Sequence, residues 1–425
     1  MSEGRARPGP RLARGLTLLG LISCPALALA QGESSAEHFV QTVVVKGNTR
    51  TRRETLVELL PRRPPARFSD GEVRELGRRI ENLALFDRVR VERRGATIEI
   101  EVREKWTLIP NLEFASSKTL ADAYALAGLT EYNAFGTGNQ LGLSVFREQR
   151  GWGALATYLE HPYRRHRWAL GVEAAAATAQ FRFEDGSGWK STVFNLEAGF
   201  GSPPWLSDHL NYRVGAYYTR EIVREPVGED RPSSSHALGT MMIFAMDAYH
   251  WADFVPRGMR AELLLSTGAF VGTVVPQPRH TARIDLIVAQ PIARYTVFMA
   301  RGVGVASTRG NAGFSQPLGS IAGVRGLEDG LHRTWLQSFL NLELRQALPI
   351  ADRWALQGVL FSDVAVFEQI EPAGGRGRAG HALSVGGGMR VLPTWLANVV
   401  LRLDLARLIA PDQSWFLQFG VNQYF

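Results

Sequence analysis

A single cysteine, Cys24, in 425 residues excludes an intrachain disulfide and a cysteine-rich zinc site. Charge is scarce too. Asp, Glu, Lys and Arg make up 21%, below the usual quarter, while 45% of the chain is apolar. That apolar share excludes a disordered chain, because it can bury a core or face lipid. Beyond residue 30 no run approaches the roughly 18 apolar residues of a membrane-spanning helix. Positive charge is not gathered into a patch. Of the net +7, an excess of four falls in residues 36–106, where 16 Lys and Arg face 12 Asp and Glu. A nucleic-acid partner needs a basic patch, so none is expected. The nine histidines show no H-E-x-x-H spacing, and GHALSVGGG around His381 and Ser384 lacks the G-x-S-x-G elbow. His161, His166 and His250 read as loop or girdle residues. No enzyme, metal or cofactor is expected.

The first thirty residues read as an export signal. Arg5, Arg7, Arg11 and Arg14 precede an apolar stretch, Leu16–Ala30, that ends in Ala28-Leu29-Ala30. Small residues at −3 and −1 suit cleavage after Ala30. Leu21-Ile22-Ser23-Cys24 resembles a lipoprotein processing box, a second route that would acylate Cys24. An exported chain without a helical span is either soluble or a barrel.

Residues 38–105 predict a small α+β domain of order β-α-α-β-β. Val43 and Val45 share a strand face before the turn Gly47-Asn48. Thr51-Arg52-Arg53-Glu54 reads as a capping box for a helix carrying Leu56, Leu59 and Leu60, stopped by Pro61, Pro64 and Pro65. Ser69-Asp70-Gly71-Glu72 reads as a second box, with Val73, Leu76, Ile80 and Leu83 on one helix face. Two strands close the unit: Val89 and Val91, then Ile98, Ile100 and Val102, with Arg94-Gly95 in the turn. This order, with GNTRT, LFDRVRV and IEIEVREK, resembles a POTRA domain, the periplasmic module of outer-membrane assembly and secretion proteins. The resemblance implies an exposed sheet edge that pairs with an extended client strand.

From Trp106 the period becomes two. Phe194, Leu196, Ala198 and Phe200 form one series. Others are Tyr212, Val214, Ala216 and Tyr218; Leu340, Leu342 and Leu344; and Val399, Leu401, Leu403 and Leu405. Each alternates with polar or small residues. A soluble sandwich would alternate in the same way, but three features favour an all-β transmembrane antiparallel barrel over 106–425. The chain carries an export signal. Trp168, Trp189, Trp205, Trp251, Trp354 and Trp415 sit near strand ends, as interface girdles require. The ending WFLQFGVNQYF places Trp415, Leu417, Phe419, Val421 and Phe425 on one parity, interrupted by Gln423. It resembles the signal on the last strand of bacterial outer-membrane barrels. At roughly 20 residues per strand and turn, residues 107–425 allow about 16 strands.

The strongest local signal is GVRGLEDG, Gly323 to Gly330. It resembles the VRG loop tip that folds back into the barrel in the BamA/TamA superfamily. Downstream, Asn341-Leu342-Glu343-Leu344-Arg345 resembles that superfamily's N-x-E-x-R strand, and Phe361-Ser362-Asp363-Val364-Ala365 its F-x-D-x-G strand. Gly386-Gly387-Gly388-Met389-Arg390, then Leu401-Arg402-Leu403-Asp404, are similar to its glycine-rich strand and the segment after it. Upstream, Asp247 with Pro256-Arg257-Gly258 matches a D…P-x-G hairpin. Parity alone places Glu343 and Asp363 on inner faces, opposite Leu342 and Val364. A desolvated guanidinium needs a carboxylate. Arg325 beside Gly326 is therefore expected to pair with Asp363, with Glu343 as second candidate.

Two departures stand out. Leu327 replaces the usual Phe or Tyr, which predicts weaker packing of the loop tip. A single POTRA domain matches neither the five of the main assembly protein, the three of TamA, nor the two of two-partner secretion transporters, whose plug helix would not fit in residues 31–38. The resemblance implies an outer-membrane assembly or insertion factor of a Gram-negative bacterium, with the POTRA domain in the periplasm. Its partners would be the lipid bilayer, unfolded outer-membrane or secreted client polypeptides, and periplasmic accessory proteins. It also implies a weak seam between first and last strands, near 107–117 and 415–425, that opens sideways. A polypeptide secretion pore and a passive outer-membrane channel are the alternatives.

Overall fold

A computed structural model describes residues 37–116, 123–148, 151–160, 168–182, 188–202, 209–227, 234–252, 254–271, 277–308, 316–320, 323–328, 332–351, 353–370, 377–393, 395–396 and 399–421. The export segment with Cys24, and His161, His166, Trp205, Gln423 and Phe425, lie outside the described residues.

The N-terminal unit contains β1 (Glu37–Val40), β2 (Thr42–Lys46), α1 (Arg53–Val57), β3 (Ala66–Ser69), α2 (Asp70–Asn82), β4 (Phe86–Arg94) and β5 (Thr97–Glu104). Strand β2 runs parallel to β5, and β5 antiparallel to β4. The predicted order is present, with an added ribbon of β1 on β3 that the sequence reading did not contain. Val43, Leu56, Leu76, Ile80, Ile98 and Ile100 fill the core. Helix α2 starts on a complete capping box. Ser69 Oγ accepts from the Glu72 amide at 3.2 Å, and Glu72 Oε2 accepts from the Ser69 amide at 2.9 Å. Such a cap contributes about 1 kcal/mol.

The first predicted box does not form. Arg52 is the N-cap of α1 and makes no side-chain cap bond. Thr51 is buried instead, and its hydroxyl accepts from Asn133 Nδ2 at 2.9 Å. A tertiary partner has taken the oxygen that the local motif would use. Helix α1 also ends early, so Leu59 and Leu60 follow it, still buried.

Glu104 organises the loop before α1. Its carboxylate accepts from Thr49 Oγ1 (2.6 Å) and from the amides of Arg50 (2.9 Å) and Thr51 (2.7 Å). The loop then docks on the turn at residues 131–138. The Arg52 amide and Thr55 Oγ1 donate to the Gly136 carbonyl at 2.8 and 3.0 Å, and Arg50 pairs with Glu131 at 3.2 Å.

The wall begins with β6 (Leu108–Ala115), β7 (Tyr124–Ala134), β8 (Asn139–Glu148), β9 (Gly151–Leu159), β10 (Ala169–Arg182), β11 (Gly188–Gly201), β12 (Leu210–Val227) and β13 (Ser235–Asp247). After the short β14 (His250–Ala252) come β15 (Val255–Val271), β16 (Gln277–Ala293) and β17 (Thr296–Ser307). After the short β18 (Gln316–Leu318) come β19 (His332–Ala351), β20 (Trp354–Gln369), β21 (Ala379–Pro393), β22 (Leu401–Ala410) and β23 (Ser414–Val421). These strands close into an antiparallel barrel, and without the three-residue β14 and β18 its wall has sixteen. Short turns at one end hold the N-terminal unit, and the loop with Arg325 rises from the other.

The parity series fall as predicted. Leu344, Leu360, Leu403 and Leu417 face outward and are exposed, while Asn341, Glu343, Arg345, Asp363 and Asp404 face inward and are buried. A wall that is apolar outside and charged inside belongs in lipid. Two details differ. Trp189 is not a girdle residue but points into the lumen, 1% exposed. Val399 lies before β22, and with Val421 it is buried against Ile109 instead of facing lipid. Trp168, Trp251, Trp354 and Trp415 are exposed near strand ends.

Glycine has a specific use inside this wall. Phe146 lies opposite Gly153, Tyr217 opposite Gly239, Phe361 opposite Gly386, and Phe367 opposite Gly380 on neighbouring strands. A methyl placed on any of these glycines would sit within 2.6 Å of the facing ring. Each ring covers the bare backbone beside it, a cross-strand pairing that fixes register.

Candidate functional site

The loop tip, residues 323–328, lies inside the lumen. It makes a tight turn, with the Gly323 and Val324 amides donating to the Gly319 carbonyl at 2.9 and 3.0 Å. Gly326 has φ +92°, a conformation that L side chains rarely adopt. The neighbouring Arg325 is fully buried. Its Nε and Nη2 donate to Asp363 at 2.8 and 2.7 Å, its amide donates to Asp363 at 3.0 Å, and Nη1 donates to Glu343 at 2.6 Å. The guanidinium lies 3.5 Å from the Phe361 ring centroid. Asn341 Nδ2 holds the Gly323 carbonyl at 2.7 Å.

These contacts belong to a balanced cluster. Arg345 Nε donates to Glu343 at 2.6 Å, Arg390 Nη2 donates to Asp404 at 3.0 Å, and Arg325 approaches Asp404 at 3.7 Å. Arg325, Arg345 and Arg390 thus face Glu343, Asp363 and Asp404 in a space where every member is at most 1% exposed. Buried charge is tolerated only when paired and hydrogen-bonded, and equal numbers meet that condition. Gly388 makes room for it, since a methyl there would sit 1.9 Å from Asp404 Oδ1.

The structure thus brings together Arg325, Gly326, Glu343, Asp363, Gly388, Arg390 and Asp404. Arg402 points elsewhere, to Glu113 on β6. Phe419 faces outward on β23, and Val421 packs against Ile109 and Val399. Leu327 corrects the expectation of a loosely packed tip. It is 1% exposed and belongs to a buried apolar cluster with Val303, Phe339, Phe367 and Leu408. Sequence reasoning gave no role to Arg345, Phe361 or Glu113, although each shares inner-face parity with a residue it did single out or lies opposite an outward leucine or phenylalanine.

The lumen is filled at two further levels. Toward the outer mouth, Trp189 of β11 meets Trp335 of β19 and Ile370, strands that are not neighbours in the wall. Trp189 Nε1 donates to Glu221 at 2.9 Å. At the opposite mouth the turn before β15 folds inward. Phe254 packs on Val255, Val297 and Met299, and also on Ala355, Leu392 and Val400 beyond them. A cavity of about 420 Å³ lies away from these fillings, lined in part by Asn111, Glu113, Thr130, Gln140 and Arg402.

The wall closes where β23 meets β6. Among the described residues the register there runs through Gln418, Phe419 and Gly420 against Ala115, Phe114 and Glu113. Ser116 adds a donated amide to the Leu417 carbonyl and accepts the Leu417 amide on Oγ, both at 2.8 Å. Strand β6 has eight residues and β22 ten, against 18 in β12 and 20 in β19. At about 3.4 Å per residue β6 is roughly 27 Å long and β19 more than twice that.

No protein-family model matches the chain, and no curated protein sequence does. Solved structures do match. BamA from Haemophilus ducreyi lacking POTRA domains 1–3 superposes with a TM-score of 0.55 at 15% identity, over 92% of this chain and 85% of that one. CdiB from Acinetobacter baumannii gives 0.62 at 13% identity, over 91% and 74%. This chain has the BamA and CdiB fold. CdiB from Escherichia coli agrees, at 0.55 and 11% identity over 92% of both chains. With so little identity the likeness is one of architecture, in which the sixteen-stranded BamA-type barrel follows a small α+β unit.

Proposed function

We propose that the protein assembles or inserts other β-barrel proteins in the outer membrane of a Gram-negative bacterium. In this reading the N-terminal unit is a POTRA domain in the periplasm that receives client strands, and the β23–β6 closure opens sideways to template them. What carries the reading is the contrast between lumen and wall. Among the described residues the lumen is filled at three levels, while β6 and β22, the strands on either side of the last one, are only eight and ten residues long. Unpaired strand edges are costly in lipid, so an open seam is a strong template for an incoming strand. A short wall also thins the bilayer locally, which lowers the work of insertion. No nucleotide is needed, because client folding supplies the free energy.

Secretion through the lumen would require the loop tip, the Trp189–Trp335 contact and the Phe254 turn all to leave. A passive channel meets the same obstruction. Depletion of the protein, followed by quantitative proteomics of outer membrane and culture fluid, separates the three. Loss of several unrelated barrels from the membrane is expected. Selective loss of one large secreted protein would replace assembly by secretion, and no change in either fraction would favour the passive barrel.

A further inference from the structure

Arg402 on β22 and Arg390 on β21 are register partners, so two guanidinium groups stand opposite one another on the inner wall. Like charges so placed repel. Each is drawn away by a carboxylate. Arg390 turns to Asp404, and Arg402 turns the other way, to Glu113 on β6. To reach Glu113 it must pass across β23, and it does so at Gly420, its register partner on that strand. A methyl built on Gly420 would lie 2.8 Å from Arg402 Nε and 3.3 Å from Nη2. Only a residue without a side chain leaves the path clear. Gln418, on the same inner face, donates Nε2 to the same Glu113 oxygen at 3.3 Å. The closure is therefore tied twice, by main-chain bonds between β23 and β6 and by a side-chain bridge from β22 to β6 over the strand between them.

The surroundings of this bridge differ from those of the Arg325 cluster. Arg325, Glu343 and Asp363 are sealed at both ends, whereas the second pair joins a buried Arg402 (5%) to a Glu113 that keeps 23% of its side chain exposed and faces the cavity lined by Asn111, Thr130 and Gln140. A polar cavity of that size admits water. Water can take up the hydrogen bonds as the pair separates, so separation costs less than in a sealed site. One ion pair suits a permanent fastening and the other a reversible one.

We propose that Glu113 and Arg402 form a latch, closed over Gly420, that positions the last strand against the first and sets how readily the wall opens there. The proposal rests on the seam-opening reading above and supplies its control point. Glu113 is the residue on which Arg402 and Gln418 converge, and Gly420 is the gap that lets them do so.

Hydrogen exchange on the full chain in lipid nanodiscs tests this directly, because seam amides exchange in proportion to the open population. Glu113→Gln is expected to speed exchange in residues 108–116 and 414–421 by roughly threefold or more, as losing an ion pair that is exposed at its Glu113 end should. Residues in β15 and β16 should keep their rates, and heat-modifiable migration should report an intact barrel. Gly420→Ala should have the same effect by pushing the guanidinium aside. Arg402→Lys should retain more protection than Arg402→Gln, and Glu113→Gln with Arg402→Gln together should open the seam no more than either alone. Unchanged seam exchange in both Glu113→Gln and Gly420→Ala would overturn the latch, as would simple multiplication of the two glutamine effects. Client insertion is a separate reading. Faster exchange with no client insertion by the wild-type protein or any variant would keep the latch and count against assembly.

Discussion

Arg325 and Asp363 are joined by a two-pronged bond, Nε and Nη2 to the two carboxylate oxygens at 2.8 and 2.7 Å, and both side chains are fully buried. The loop tip is therefore bound by charge, and the charge is sealed from water. Removing either partner leaves the sealed cluster one charge out of balance, which costs about 3–5 kcal/mol. Arg325→Ala or Asp363→Ala should release the loop, seen as protease cleavage within 309–331 and altered heat-modifiable migration. Single-channel recording of Arg325→Ala should also show higher conductance. If both variants keep wild-type protection and migration, the loop is held by something other than this pair.

The inner and outer faces were readable because strands alternate, so one outward leucine fixes every neighbour. Alternation alone thus sets Glu343 and Asp363 opposite Leu342 and Val364. What alternation cannot give is reach across the lumen. Trp189 has the position of a girdle residue in the sequence, and only the closed barrel brings it to Trp335. Thr51 likewise has the spacing of a helix cap, yet its hydroxyl accepts from Asn133, 82 residues away. Local motifs fail where a distant partner outbids them. Glu113 was missed for the opposite reason: its strand is short, and its meaning depends on the last strand closing beside it.

Leu327 should prove as important to the tip as Arg325. It is buried in one apolar cluster with Val303, Phe339, Phe367 and Leu408, so Leu327→Ala removes buried volume that the rigid barrel cannot collapse to fill. A loss of about 2–4 kcal/mol is expected. Thermal unfolding in detergent would report it. Leu327→Phe, though closer to the resembled pattern, should destabilise too, because overpacking costs about 1–3 kcal/mol. A more stable Leu327→Phe barrel would mean that the tip has unused space.

The ring-on-glycine pairs make a prediction about compensation. A methyl on Gly380 would lie 2.5 Å from Phe367, and the nearest atoms are all of that ring. Gly380→Ala should therefore lower stability by about 1–3 kcal/mol. Adding Phe367→Leu, which removes the obstructing ring, should recover part of the loss despite being destabilising alone. A double-mutant cycle checks this. Strictly additive effects would show that the ring does not rest on the glycine backbone.

Asp87 gives the molecule a dependence on pH outside the membrane. Burial raises its affinity for a proton, but bonds from Arg103 at 2.6 Å and Arg353 at 2.8 Å outweigh that and hold the carboxyl below its ordinary value of 3.8. Arg353 belongs to the turn between β19 and β20, so this pair ties the N-terminal unit to the barrel on the far side of the closure from Glu131. A depressed carboxyl adds stability that is complete above its ordinary value and disappears as pH falls through the lower, folded value. Spin labels at Arg90 and Ala351 should keep one distance from neutral pH down to about 4, then broaden as Asp87 takes up its proton. Asp87→Asn should show the broad distribution at every pH. Arg353→Ala removes the barrel's half of the same tie and should broaden the distribution to a similar extent, a loss of about 0–1 kcal/mol because that guanidinium is half exposed and well screened. A wild-type distance in Asp87→Asn would mean that the Gly136 and Glu131 contacts alone hold the unit in place.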